Sequence, residues 1–274
     1  MESVLQGRCK LDKFYMDTKQ NKSKTFGENM ALQAKNYIEK TAPDILIAAD
    51  DNASRYLIQP YYKDSKIPVV FCGINHTIRS YGYPYSNATG MIEISPVRPL
   101  LKYVKASLKK VTHGVYLASD TISQHKEFEL NQEVYSAQGI HLTPLFVTNM
   151  GEWKRAYNKA QMQSDFLILG NNGGIEDWKD ADAIKHVIQM GKLLSVTNYD
   201  WMNRYAVLTV SKLAEEQGEW AAEVALAVLD GEKISDIPIV VNRRSKVFVN
   251  LTLMKKTGFR LSQKIMTKAI RISL

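Results

Sequence analysis

"DILIAADDNAS" (44–54) decides how the chain is read. Five apolar residues, Ile45 to Ala49, run without alternation into Asp50, Asp51 and Asn52. A short continuous apolar run suits a strand covered on both faces, as parallel sheets require. The two carboxylates and the amide then stand where the strand ends and the next helix begins. Such groups can cap free backbone N–H groups there and also face a ligand.

The pattern repeats along the chain. Further strand-like runs are Leu11–Met16, Val69–Cys72, Val115–Ala118, Leu142–Val147, Phe166–Leu169 and Leu193–Thr197. Helix-like stretches lie between most of them, at about 25–40, 52–63, 96–109, 122–138, 150–162 and 178–190. The alternation predicts an α/β protein built on parallel sheets. Ser95 and Pro96 predict a helix start. Asp120 or Thr121 can cap the next helix, and Gly139 closes it. A long helix is expected from about Arg204 to Asp230, with Gly218 as a candidate break and Gly231 as its stop. Extended pieces follow in "ISDIPIVVNRRSKVFVN" (234–250), then two short basic helices.

Two features divide this series into two lobes. The stretch from Asn75 to Gly90 is a long, aromatic, turn-rich loop, and loops of that length are usually functional. A fresh strand–helix series then begins at Val115.

The 274 residues are 45% hydrophobic and 23% charged, an ordinary globular composition. The net charge of +8 is concentrated: Asn242–Leu274 holds nine basic residues and no acidic one. This tail reads as a solvated helical face, or as a docking patch for an acidic partner or an anionic lipid surface. Nucleic acid is not expected as a partner, since no helix-turn-helix, zinc-finger or aromatic-basic RNA motif is present. Cys9 and Cys72 make no disulfide framework, and Cys72 reads as a buried small hydrophobe. No apolar run reaches 18 residues, and "MESVLQGRC" (1–9) has no signal-peptide pattern.

Polar residues recur after the strands: Asp50, Asp51, Asn52 and Asn75; Asp120 and Thr121; Asn171 and Asn172; Asn198 and Asp200. In open parallel sheets, ligands bind outside the carboxyl ends of the strands. Singly, Asp51 and Asn52 read equally well as helix caps, and "NNGG" (171–174) as a turn. Together the ten form the candidate ligand-binding set. Catalytic readings fare worse. The five histidines (76, 113, 125, 141 and 186) lack metal-ligand spacing, so no metal site is expected. "GNNGG" (170–174) lacks the Lys-Ser/Thr of a phosphate loop. Adjacent carboxylates such as Asp50 and Asp51 seldom flank one reacting atom. No enzyme activity and no cofactor are expected.

The segments "FYMDTKQN" (14–21), "PDILIAADDNASRYL" (43–57), "IPVVFCGIN" (67–75), "TGMIE" (89–93), "EEQGEWAAEVALAVLDGEKISDIPIV" (215–240) and "VFVNLTLMKKTGF" (247–259) resemble the ABC-sub-bind family of ABC transporter substrate-binding proteins. The likeness runs from about Leu11 to the C-terminus. It implies a class I periplasmic-binding-protein fold, two doubly wound lobes closing on a small ligand at a hinge. Lobe one would be 1–112 plus about 198–238, and lobe two 113–197 plus about 239–274. The ten polar residues would then line the cleft. Its ligand would be an amino acid or a related amine. An ammonium group would meet Asp50, Asp51, Asp120 or Asp200, and Tyr81, Tyr83, Tyr85, Tyr199 and Trp201 would supply a stacking wall. A transporter permease would be the partner, the receptor a monomer, and its place the periplasmic or extracellular face of the membrane. Members also occur as ligand-sensing domains of signalling systems, which is the alternative role. A buried strand and a helix open the family's fold, and "MESVLQG" (1–7) reads as the end of that helix. The chain is therefore expected to lack that first strand and any export signal, and to be unstable alone.

Overall fold

A computed structural model describes residues 1–21 and 23–274. The chain divides into two compact units, residues 1–94 with 213–244 and residues 95–212 with 245–274. Elements are numbered along the chain.

The first unit carries a four-stranded, all-parallel sheet in the order β1-β2-β3-β9. Its strands are β1 (Leu46–Ala49), β2 (Val69–Asn75), β3 (Ala88–Glu93) and β9 (Val240–Val241). Side chains alternate across β2 as the pleat demands. Val69 and Phe71 join a core with Ala31, Ala34 and Ile38 of helix α2 (Lys24–Thr41). Val70 and Cys72 pack instead with Ala221 and Val224 of helix α8 (Ala214–Leu229). The short helix α1 (Glu2–Leu5) adds Leu5 against Ala222 and Leu226. After β1 the chain enters α3 (Asp51–Ala53), which continues as a π-helical stretch, Ser54–Tyr62.

The second unit carries a seven-stranded sheet in the order β11-β10-β8-β7-β6-β4-β5. Strands β4 (His113–Ser119), β5 (His141–Val147), β6 (Phe166–Leu169), β7 (Leu194–Thr197) and β8 (Leu208–Lys212) are mutually parallel. Strand β10 (Ser245–Asn250) runs antiparallel to β8, and β11 (Ile270–Ile272) runs parallel to β10. All four β6 side chains are buried, so helices cover both faces of the sheet. These are α4 (Val97–Ser107), α5 (Ile122–Ser136), α6 (Met150–Gln163) and α7 (Asp180–Met190), with α9 (Leu251–Thr257) and α10 (Gln263–Lys268) after β10. Thr121 caps α5 through its hydroxyl, and Asn149 caps α6 through its side-chain amide oxygen.

Several expectations from the sequence need correcting. Leu11–Met16 forms no strand; Phe14 is exposed and Tyr15 is 71% exposed, so the run has no sheet to join. Residues 208–212, expected to be helical, form β8, where Leu208, Thr209, Val210 and Ser211 are buried. β-branched side chains buried on both faces favour a strand over the helix suggested by their spacing. Gly218 lies inside α8 without breaking it. Pro96 stands at the cap position of α4 rather than inside its first turn. The expected long loop after Asn75 already ends at β3, whose residues Ala88 to Met91 are buried.

Candidate functional site

In the first unit, Asp50, Asp51, Asn52 and Asn75 come together at the carboxyl ends of β1 and β2. The parallel register Ala49↔Cys72 sets this proximity. Asp51 is the organising group. Its Oδ2 accepts from Asn75 Nδ2 at 2.8 Å and from Asn75 N at 3.3 Å, and its Oδ1 accepts from the Tyr81 hydroxyl at 2.7 Å. Burial, and then that bond to Asp51, push the Tyr81 hydroxyl up to about 12. Asn52 donates to Thr18 Oγ1 at 3.1 Å, and Asp50 pairs with Lys19. A recess of about 510 Å³ opens beside them, lined by Thr18, Lys19, Asn52, Arg55 and Tyr56 among others.

Neither Asp51 nor Asn52 caps the helix. The cap position belongs to Asp50, at φ 83° and ψ 157°, and it makes no side-chain cap bond. His76, next to Asn75, also has a positive φ of 61°. Non-glycine residues held this way cost on the order of 1–3 kcal/mol each and concentrate at functional sites. Asp50 and His76 are two of five such residues among the described ones; Asp17, Ala42 and Asp64 are the others.

In the second unit, Asp120 and Thr121 follow β4, Asn171 and Asn172 follow β6, and Asn198 and Asp200 follow β7. Asp120 Oδ1 meets His125 Nε2 at 2.7 Å, and the His125 ring stacks on Phe146 with centroids 3.8 Å apart. Asn171 Oδ1 accepts from Gly173 N at 2.9 Å and from Trp201 Nε1 at 3.3 Å. The carbonyl of Asn172 accepts from Ile175 N. Asp200 Oδ1 accepts from Trp201 N at 2.8 Å. Asn198 is buried, and its amide donates to the carbonyl of Val210 on β8 at 2.9 Å.

Gln124, which is not among the ten candidate residues, knits this second cluster together. It is buried in the first turn of α5. Its Oε1 accepts from the Tyr116 hydroxyl at 2.9 Å and from Asn171 N at 2.8 Å, and its Nε2 donates to the Tyr199 hydroxyl at 2.8 Å. Burial pushes both tyrosine hydroxyls upward, so both stay protonated. The spacing Thr121-x-x-Gln124 matches a capping box and was the available signal. The glutamine bonds across to the next strand end instead of back to the cap. Gly170 makes room for it: a Cβ there would lie 2.5 Å from Gln124 Oε1. At Gly174 a Cβ would lie 2.5 Å from Thr121 Cγ2. The glycines of "GNNGG" thus serve close packing at these two positions.

Residues 9–272 match the family model described as ABC transporter substrate binding protein. The chain belongs to this family. Membership implies a small-molecule ligand and a transporter permease as partner, and makes the chain a binding protein rather than an enzyme. Burial pushes the Cys72 thiol up to about 11, so it stays protonated.

No curated protein sequence matches this substrate-binding protein. Among solved structures it is similar to a ligand-free, open substrate-binding protein with adhesive properties from Clostridium difficile. That match has TM-score 0.73 and 15% identity, covering 91% of this chain and 83% of that one. It is also similar to an ABC domain in complex with L-Trp from Streptococcus pneumonia, with TM-score 0.58, 16% identity, and coverage of 90% and 86%. A third is an ABC transporter substrate-binding protein from Desulfitobacterium hafniense in complex with Leu, with TM-score 0.55, 11% identity, and coverage of 78% and 71%. These likenesses give the chain the two-lobe α/β fold of periplasmic binding proteins.

Within that fold, Tyr81, Tyr83 and Tyr85 do not form a stacking wall. All three are buried, and Tyr83 packs on Phe71 with centroids 4.4 Å apart. Among the described residues, no helix is long and apolar enough to cross a membrane.

Proposed function

We propose that this chain is the extracytoplasmic, monomeric receptor of an ABC transporter, and that it binds an amino acid or a related amine. The two polar clusters would hold the ligand in the interlobe cleft that the family resemblance implies. One observation carries the reading: both sheets gather Asp, Asn and Thr side chains at the carboxyl ends of their parallel strands, where ligands of open α/β sheets bind. Hydrogen bonding and charge pairing suffice for such a role, with no bond made or broken.

Calorimetric titration of the chain with amino acids and amines tests it. One ligand is expected to bind saturably without turnover and to raise the melting temperature as its concentration rises. Asp51→Ala and Asn52→Ala should each weaken that binding at least about tenfold, the loss of one or two charge-assisted bonds. Unaltered affinity in both variants would remove the first-unit cluster from the site.

A further inference from the structure

The amino-terminal end of the second unit's sheet lies opposite its polar cluster and has a different chemistry. The connections into β4, β5, β6 and β7 are residues 108–112, 137–140, 164–165 and 191–193. With the last turn of α9 they hold Lys109, Lys110, Lys192, Lys255 and Lys256, all exposed, against a single carboxylate, Asp165. That carboxylate is engaged by backbone: its Oδ2 accepts from Thr112 N at 2.8 Å and from His113 N at 3.0 Å. Two methionines stand out among the lysines. Met162, in the last turn of α6, is 77% exposed, and Met190, the last residue of α7, is 38% exposed.

These residues are far apart in sequence but belong to adjoining turns. Asp165 joins the turn before β6 to the one before β4. Gln161 Oε1, beside Met162, accepts from Lys192 N at 2.8 Å and from Leu193 N at 2.9 Å, which ties the end of α6 to the turn after Met190. A Cβ on Gly191 would lie 3.7 Å from Thr257 Cγ2, next to Lys256 in α9. Singly, a lysine at a helix C-terminus is explained by the helix dipole, and one exposed methionine is ordinary. Five lysines and two methionines on adjoining turns need a further reason.

We propose that this end of the second unit docks on an anionic lipid bilayer. The lysines meet headgroup phosphates, and Met162 and Met190 enter the boundary between headgroups and acyl chains. Charge complementarity carries the inference, and residue type selects the occupant. Protein interfaces favour arginine and aromatic side chains and are poor in lysine. Here every cation named is a lysine, a flexible point charge, and the exposed apolar groups are unbranched thioethers. Each lysine held near an anionic membrane raises partitioning roughly fivefold. The polar cluster at the other end of the strands stays free, so docking does not require ligand.

The test is flotation of the full chain with vesicles of phosphatidylcholine alone or with about 30 mol% phosphatidylglycerol. The chain should float with the anionic vesicles and not with the neutral ones, and should be released as salt rises from about 0.05 M to about 0.5 M. The triple variant Lys192→Glu/Lys255→Glu/Lys256→Glu should lose at least about a hundredfold in partitioning. A charge-matched triple on the first unit, Lys40→Glu/Lys66→Glu/Lys233→Glu, should stay within about threefold of wild type. Met162→Gln/Met190→Gln should cost about tenfold, by removing two apolar groups from the interface. Equal flotation with neutral vesicles overturns the inference, as do equal losses in the two lysine triples. Absence of flotation, with the second-unit triple instead weakening binding to the detergent-solubilised permease, overturns it in favour of a protein partner. None of these outcomes touches the solute-binding reading, which calorimetry with ligand tests separately. Melting curves of the variants, expected to match wild type because every altered side chain is exposed, separate lost docking from lost folding.

Discussion

Gln124→Leu should destabilise the protein by about 3 kcal/mol, with a matching fall in the urea midpoint of the second unit. Leucine fills similar space but accepts nothing. The hydroxyl of Tyr116 and the N–H of Asn171 lose their acceptor, and the Tyr199 hydroxyl loses its donor. Each stranded buried group costs about 1–3 kcal/mol, and the sum is reduced where neighbours or water re-pair. Adding Tyr116→Phe to the leucine variant should recover part of the loss, because it deletes one of the stranded hydroxyls. A midpoint equal to wild type in Gln124→Leu would mean that these bonds contribute nothing to stability. Ligand binding should fall as well, since the turns carrying Asn171 and Trp201 lose their common anchor.

Gly90→Ala should cost about 3 kcal/mol, and Gly90→Val should prevent the first unit from folding. A Cβ on Gly90 would lie 2.2–2.4 Å from three ring carbons of Phe71 on the neighbouring strand. That ring cannot yield. It is fully buried, it packs on Tyr83 at 4.4 Å, and Tyr83 packs on Tyr85 at 4.3 Å. Far-ultraviolet circular dichroism and a denaturant titration would read the effect. Phe71→Leu combined with Gly90→Ala should be more stable than Gly90→Ala alone, because the smaller side chain vacates the overlap. Gly139→Ala is the control. Nothing lies within 4 Å of a Cβ there, so only the left-handed φ of 72° is at stake, for about 1 kcal/mol.

Strand and helix order was legible wherever burial is two-sided. The runs that became β2, β4, β6 and β7 are rich in apolar residues because both faces of the sheet are covered. The same feature hid β8. An apolar run of Val, Leu and Thr leading into a true helix lacks the alternation that would separate strand from helix. Leu11–Met16 shows the converse, a local preference with no partner strand to satisfy it. For the candidate site, the sequence located the strand ends but not the partnerships. Asp51 meets Asn75 and Tyr81, 24 and 30 residues away, because of the register between β1 and β2. Gln124 reaches Asn171 and Tyr199 across three strand ends. Such links depend on strand order, which the pattern of apolar residues does not encode.

The chain passes from one unit to the other three times, after Ile94, Lys212 and Arg244. On the ribosome this fixes an order of completion. The first unit is synthesised through β3 early, but α8, which covers one face of its sheet, and β9, which closes that sheet, emerge only after residues 95–212 of the second unit. The apolar face of Val70 and Cys72 must therefore wait, uncovered, through more than a hundred residues of synthesis. A nascent chain in that condition is a client for a holding chaperone.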